Sequence, residues 1–403
     1  MTSTALGRDF RLLWSAAVSS RFGDALRTPA LALLAATVTR DPRIIAAVTV
    51  AGQLPPLLFG LLGGVYADRW DRRRTMAVVD GVRAAVVAAL AVAVALHRAS
   101  VLVLLVAAFL LAALGTLFDS ASFALLPALV PPEALPRANG RLQAGAAVAG
   151  GFLGAPAAGV LFAVAPALPF ALDAVTFAVA ALLVLALTPA PVAGTQPRFG
   201  VRRGSVWGEI VEGLRWLYAH RTMWRVTVLT SASNLAISGI MAVLVLYALD
   251  VLRVPPAGYG LFAAAAIVGG VVGALGSGRL AARLGTVPAL GVVLAAETVA
   301  LSGFALARHP VPGGFALAVF AAGTVVWNSL WASYGQRNVP AGLLGRVGAA
   351  QRMVGLLTAP VGAALAGLAA AAFGTVPVMG AAAGVFALVT VAAWRALRPV
   401  SPA

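Results

Sequence analysis

Apolar residues run in stretches of roughly 20 along almost the whole chain, each long enough to cross a ~30 Å hydrocarbon core as a helix. The polar breaks between them are short. These runs predict helices near Leu12 to Val38, Ile44 to Tyr66, Thr75 to Leu96, Val101 to Ser120, Asn139 to Val164 and Phe170 to Leu187. Six more are predicted near Val226 to Leu249, Gly258 to Ala281, Val287 to Ala307, Gly314 to Tyr334, Val347 to Phe373 and Val376 to Leu397. The longest break, Thr188 to Arg225, falls at mid-chain. Its Pro-rich start reads as linker, and Trp207, Ile210, Val211, Leu214 and Leu217 have the spacing of an amphipathic helix lying on a membrane surface.

The two halves carry traces of a duplication. Val130-Pro131, Leu135 and Arg137 recur as Val339-Pro340, Leu344 and Arg346, and Gly64, Ala67, Asp68 and Arg69 recur as Gly278, Ala281, Ala282 and Arg283. The two offsets nearly agree. Six-helix repeats of this kind mark secondary transporters that rock two bundles about a central site. The expected fold is therefore an all-α membrane protein of about twelve helices in two six-helix bundles related by pseudo-two-fold symmetry. The domains expected are residues 1–188, a linker over 189–225 containing the amphipathic helix, and residues 226–403.

Composition agrees with a lipid solvent: of 403 residues, 61% are hydrophobic and 10% charged, against ~25% charged in an ordinary soluble domain. The net charge of +16 would suggest nucleic acid in a soluble protein, but here the arginines fall in alternate loops. One set of loops holds Arg8, Arg11, Arg69, Arg72 to Arg74, Arg137, Arg141, Arg198, Arg202, Arg203 and their second-half counterparts, and the opposite set holds only Arg40, Arg43, Arg98, Arg253 and Arg308. Positive loops stay in the cytoplasm, which predicts cytoplasmic termini in a multi-pass protein of a bacterial inner (plasma) membrane. The polar segment Met1 to Arg11 is too short for a cleaved signal, so the first apolar helix is expected to be retained.

Candidate chemistry is sparse. There is no Cys, and His97, His220 and His309 are scattered, so no metal site and no cofactor are expected. The acids form no enzyme-like constellation. A chain without lysine cannot carry the lysine-containing phosphate loop of an ATPase.

The segment Gly64-Val65-Tyr66-Ala67-Asp68-Arg69-Trp70-Asp71-Arg72-Arg73-Arg74 occupies the tight turn between the second and third predicted helices. It resembles the loop motif G-x-x-x-D-R-x-x-R-R of the major facilitator superfamily. Gly64 would allow close helix approach, Asp68 would face a helix N-terminus, and Arg69, Arg72 and Arg73 would grip carboxylates on neighbouring helices. Asp119, in Leu117-Phe118-Asp119-Ser120-Ala121, resembles the end of the fourth helix in the drug-efflux and siderophore-export branch and is the expected partner of Arg72 or Arg73. Because Ala282 replaces the acid in the second half, this cytoplasmic gate is expected on one side only. In the fifth helix, Gly145, Gly150, Gly151, Gly154, Pro156 and Gly159 resemble the glycine and proline motif of antiporters, G-x-x-x-G-P-x-x-G-G. Ala155 and Ala158 depart from it, and small residues at this spacing also serve ordinary helix packing.

Charges at membrane depth are costly and are functional hypotheses by default. Arg21, Asp24 and Arg27 share one side of the first helix. Gly23-Asp24 also resembles the first helix of the exporter branch, but an acid held between two arginines is a poor proton carrier, and the arginines are expected to leave positive charge for a substrate group. Glu297 lies midway along the ninth predicted helix with no local cation, which makes it the preferred proton-coupling residue ahead of Asp24. Asp80 and Arg83, three apart, are expected to satisfy each other. Asn234, Trp327, Asn328 and Trp331 are candidates, with Arg21 and Arg27, for a cavity that takes amphiphiles.

The resemblance implies a secondary transporter exporting a small amphiphilic compound of drug, macrolide or siderophore type in exchange for protons by alternating access. Import or uniport of a polar metabolite is the alternative, and a membrane enzyme or sensor is the remote one. The expected partners are a small-molecule substrate, protons and the lipid bilayer, without nucleic acid, and the expected state is a monomer.

Overall fold

The computed structural model describes residues 7–67, 71–131, 134–188, 206–340 and 343–397, and among these the chain is helical almost throughout. In order, the helices are α1 Arg8–Val38, α2 Pro42–Ala67, α3 Arg72–Ala95, α4 Val101–Leu129, α5 Leu135–Ala146, α6 Ala155–Val164 and α7 Leu168–Leu185. They continue with α8 Val206–Ala219, α9 Arg221–Leu246, α10 Pro256–Leu284, α11 Thr286–Leu306, α12 Pro310–Asn338, α13 Leu344–Phe373 and α14 Thr375–Leu397. A π-helical stretch, Ala147–Gly154, joins α5 to α6 in one continuous rod.

Among the described residues, 11 helical segments are long and apolar enough to cross a membrane. Arg21, Asp24 and Arg27 at its middle keep the 31-residue α1 from being counted with them. The spans are apolar on both sides, as lipid requires: Leu182 and Val299 are exposed outward while Phe177 and Leu294 are buried. Helix boundaries follow local chemistry. Ser100 caps α4 by accepting from the Val103 amide at 3.4 Å, and Asp71 caps α3 by accepting from the Arg74 amide at 3.1 Å. Gly285 and Gly374, at φ +82° and +86°, make the tight reversals into α11 and α14, where a side chain would be strained.

The helices form two compact units, one of residues 1–40, 51–200 and 255–264, the other of residues 41–50, 201–254 and 265–403. In the first, α1 and α3 pack on α7 and α4 around Phe10, Leu13, Met76, Phe118 and Val184. In the second, α9 packs on α13 and α14, and α11 on α12 and α14, around Val226, Leu290, Leu294, Trp327 and Val389. The amphipathic α8 lies on α13 and α9, burying Leu217 beside Met223 and Val347, with Glu212 accepting from Arg346 at 2.7 Å.

Candidate functional site

Polar chemistry concentrates at one place in each unit. In the first, the α1 charges meet charged groups from three other helices. Arg27 binds Asp24 on its own helix and donates to Asp173 of α7 at 3.0 Å. Arg83 of α3 donates to Asp24 at 2.8 Å and to Asp80 and Ser20, each at 3.2 Å. Arg21 donates to Asp119 of α4 at 2.5 Å and stands 3.9 Å from Asp24. Asp80, Asp173 and Arg83 are buried, and the Arg83 guanidinium lies over the Phe177 ring at 3.9 Å. Gly23 makes room for the approach of α7, since a Cβ there would fall 2.1 Å from Asp173 Oδ1.

This network corrects two expectations. Arg21 and Arg27 do not leave positive charge over: three guanidiniums meet four carboxylates, because Asp80, Asp119 and Asp173 join Asp24. Nor does Arg73 take Asp119. Its side chain donates instead to the carbonyls of Val184, at 3.2 Å, and Leu185. Those carbonyls stand at the end of α7, where a cation is favoured, and Arg21 holds Asp119. Asp80 and Arg83 do meet, but Arg83 is shared with Asp24. Gly64 lies near the end of α2, and Asp68 and Arg69 lie outside the described residues. Asp173 escaped the sequence reading although it is the one charge in the apolar run of α7, a signal that intramembrane acids carry by default.

The fifth-helix glycines are packing surfaces. A Cβ at Gly154 would lie 2.6 Å from Ala25 Cβ of α1, and one at Gly159 would lie 2.6 Å from the Ala257 carbonyl and 2.9 Å from the Gly260 amide of α10. At Gly150 the nearest atom is 3.8 Å away. Pro156, in the first turn of α6, has no N–H to return to a carbonyl one turn earlier, which accounts for the adjoining π-helical stretch. Gly159→Leu is expected to cost about 1–3 kcal/mol by overpacking and to depress transport, whereas Gly150→Ala leaves both near wild type. Thermal unfolding of the purified variants, with a transport assay, checks the pair.

In the second unit a buried carboxyl stands without an arginine partner among the described residues. Glu297 of α11 is 3% exposed and accepts a hydrogen bond from Thr324 of α12 at 2.8 Å. No cation among the described residues lies within ion-pair distance. Gly323 gives the side chain its space, as a Cβ there would be 2.5 Å from Glu297 Cγ. A pocket of about 40 Å³ brings Glu297 together with Thr230, Ser233, Asn234, Trp327 and Asn328. Thr230, Asn234 and Ile237 also wall a larger cavity of about 460 Å³ between α9 and α13, which Trp331, Gln351 and Arg352 complete. The structure thus gathers Asn234, Trp327 and Asn328 about Glu297 and puts Trp331 in the adjoining space. Thr324, Thr230 and Gln351 were missed by sequence reading, since hydroxyls and amides in apolar helices give no distinctive pattern. Among the described residues no group of acids and histidines could hold a metal ion.

A family model described as Major Facilitator Superfamily matches residues 13–363. Among curated proteins, uncharacterized MFS-type transporters of Mycobacterium tuberculosis and Mycobacterium bovis are each 35% identical over 150 residues, 36% of this chain. The match spans only 34% of the length of those relatives. Among solved structures, a bacterial homolog of the human lysosomal transporter Spinster, inward-facing and unoccupied, superposes with a TM-score of 0.79 at 14% identity, covering 99% of this chain and 98% of that one. A bacterial homologue of the iron transporter ferroportin gives 0.77 at 16% identity over 98% and 100%. The nucleoside transporter NupG gives 0.75 at 16% identity over 97% and 100%. At these identities the likeness speaks for the fold alone.

Proposed function

This chain belongs to the major facilitator superfamily, and from that premise we propose that it is a proton-coupled secondary transporter of a small amphiphilic compound, with Glu297 as the group that takes up and releases the proton. One observation carries the reading: a buried carboxyl held by a single hydroxyl, without a cation, shares three wall residues with a larger cavity. Protonation there changes the charge beside any bound solute, which is the physical requirement for coupling. Asp24, ringed by Arg21, Arg27 and Arg83, serves to hold α1, α3 and α7 in place.

Export in exchange for protons is the direction that the fifth-helix resemblance supports, although the same glycines have a packing role against α1 and α10. The turn from Gly64 through Arg73 is the proposed cytoplasmic gate, in an inner-membrane protein whose arginine-rich loops and both termini face the cytoplasm. Import of a polar compound is the second reading, favoured by the unpaired Arg352 in the cavity.

The test is accumulation of a compound panel in an efflux-deficient bacterium expressing the protein, with and without a protonophore. Accumulation is expected to differ from the empty-vector strain only while the proton gradient stands. A difference that persists after the gradient collapses rejects proton coupling.

A further inference from the structure

The larger cavity of the second unit has an unusual charge balance. Its lining contains one charged side chain, Arg352, and no Asp or Glu. Among the described residues Arg352 makes no ion pair or hydrogen bond, and neither does the Asn234 side-chain amide. The Thr230 hydroxyl is buried and likewise lacks a partner. Its neighbours are satisfied: Gln351 donates to Thr227 at 3.1 Å, and Thr227 donates to the Met223 carbonyl at 2.8 Å. Beside these groups Trp331 stacks between Trp327 and Tyr334, with ring centroids 6.2 and 5.3 Å apart and planes within 13° and 11° of parallel.

A guanidinium, an amide and a hydroxyl left without protein partners in one cavity form a donor set that fits a carboxylate, sulfonate or phosphate oxygen pair. A cationic ligand would meet an uncompensated like charge there. Trp331, which lines the cavity, gives the apolar body of the same ligand an aromatic contact.

We propose that this cavity binds an amphiphile through its anionic group, held by Arg352 with Asn234 and Thr230, and that the anion and a proton on Glu297 load together. The second clause rests on Glu297 being the proton carrier. An ionised Glu297 would be a rival anion across the shared wall of Thr230, Asn234 and Ile237, and a proton on it removes that rival. The remaining groups that face Glu297 come from α9 (Ser233), α11 (Leu294), α12 (Thr324, Trp327, Asn328) and α14 (Phe386), and none is ionisable. Arg352 and Glu297 are therefore the two charges lining these spaces. Because each ligand favours the other, the solute and the proton travel in the same direction; joint loading therefore favours the second, import reading, by symport, over the export by exchange that the fifth-helix resemblance supports.

The test uses the purified full chain in lipid nanodiscs and three permanently charged or neutral probes: naphthalene-2-sulfonate, naphthalene-2-sulfonamide and trimethyl(2-naphthyl)ammonium, with binding measured by equilibrium dialysis. The sulfonate is expected to bind roughly 10- to 100-fold tighter than the sulfonamide, the scale of a hydrogen bond to a charged group, and the ammonium to bind weakest. Arg352→Gln removes that preference, and Arg352→Lys restores part of it. Sulfonate binding tightens from pH 8 to pH 6, and in Glu297→Gln it stays at the pH 6 value throughout. Preference for the ammonium, no sulfonate binding, or an unchanged preference in Arg352→Gln overturns the anion site. Sulfonate binding that is flat with pH, or tightens as pH rises, overturns joint loading. Loss of proton coupling in the accumulation assay with the charge preference intact would reject the transport reading and leave the anion site standing.

Discussion

Glu297→Gln is expected to reduce transport driven by a pH gradient to the level of empty liposomes while leaving exchange of labelled for unlabelled substrate across the same membrane. The substitution keeps the volume of the side chain and an oxygen that can accept from Thr324, so the fit beside Gly323 and the hydrogen bond of 2.8 Å survive. What is lost is the ability to change charge. A neutral amide holds the site permanently in the proton-loaded form, so the carrier cycles with its solute and no longer converts a proton gradient into net movement. Reconstitution with an imposed pH difference, measuring net flux and counterflow on the same preparation, separates the two. Net flux that still follows the pH difference would move proton coupling away from α11. The first-unit network, with one carboxylate more than it has guanidiniums, would then be the place to look.

How much of this was legible in the sequence depends on how far apart the interacting residues are. The spans were legible because lipid imposes apolar length on each segment separately, and the α1 triplet because residues three apart on a helix share a side. That Glu297 has no cation along its own helix could also be read locally. Its surroundings could not: Thr324 donates to it from α12 and Thr230 lines the same pocket from α9, neighbours set by helix packing. The same limit explains why Arg72 or Arg73 was expected at Asp119. Charge complementarity said that an arginine would bind this acid, but only the packing of α1 on α4 decides that it is Arg21. Asp173, 146 positions from Arg27, was invisible as a partner until α7 was placed against Gly23.

Two arginines of the first unit bind carboxylates, and burial decides how differently they respond to removal. Arg21 and Asp119 are 47% and 54% exposed, so Arg21→Gln is expected to cost about 0–1 kcal/mol, as for surface pairs. Arg83 is 3% exposed and its partner Asp80 is fully buried. Arg83→Gln strands Asp80, whose other oxygen already lacks a hydrogen bond, and takes one of three guanidiniums from Asp24. It also removes the cation from the face of Phe177. Breaking one side of a buried pair costs about 3–5 kcal/mol, because the remaining charge stays in a medium that cannot solvate it. The double variant Arg83→Met with Asp80→Asn removes cation and anion together and is expected to recover most of that loss, since Asp24 still has Arg27. Thermal unfolding of the three variants in one detergent checks the order: Arg83→Gln lowest, the double variant well above it, Arg21→Gln near wild type. If the double variant is no more stable than Arg83→Gln, the cost lies in the packing of the Arg83 side chain against Phe177 and Phe118, and the stranded carboxylate is not its cause.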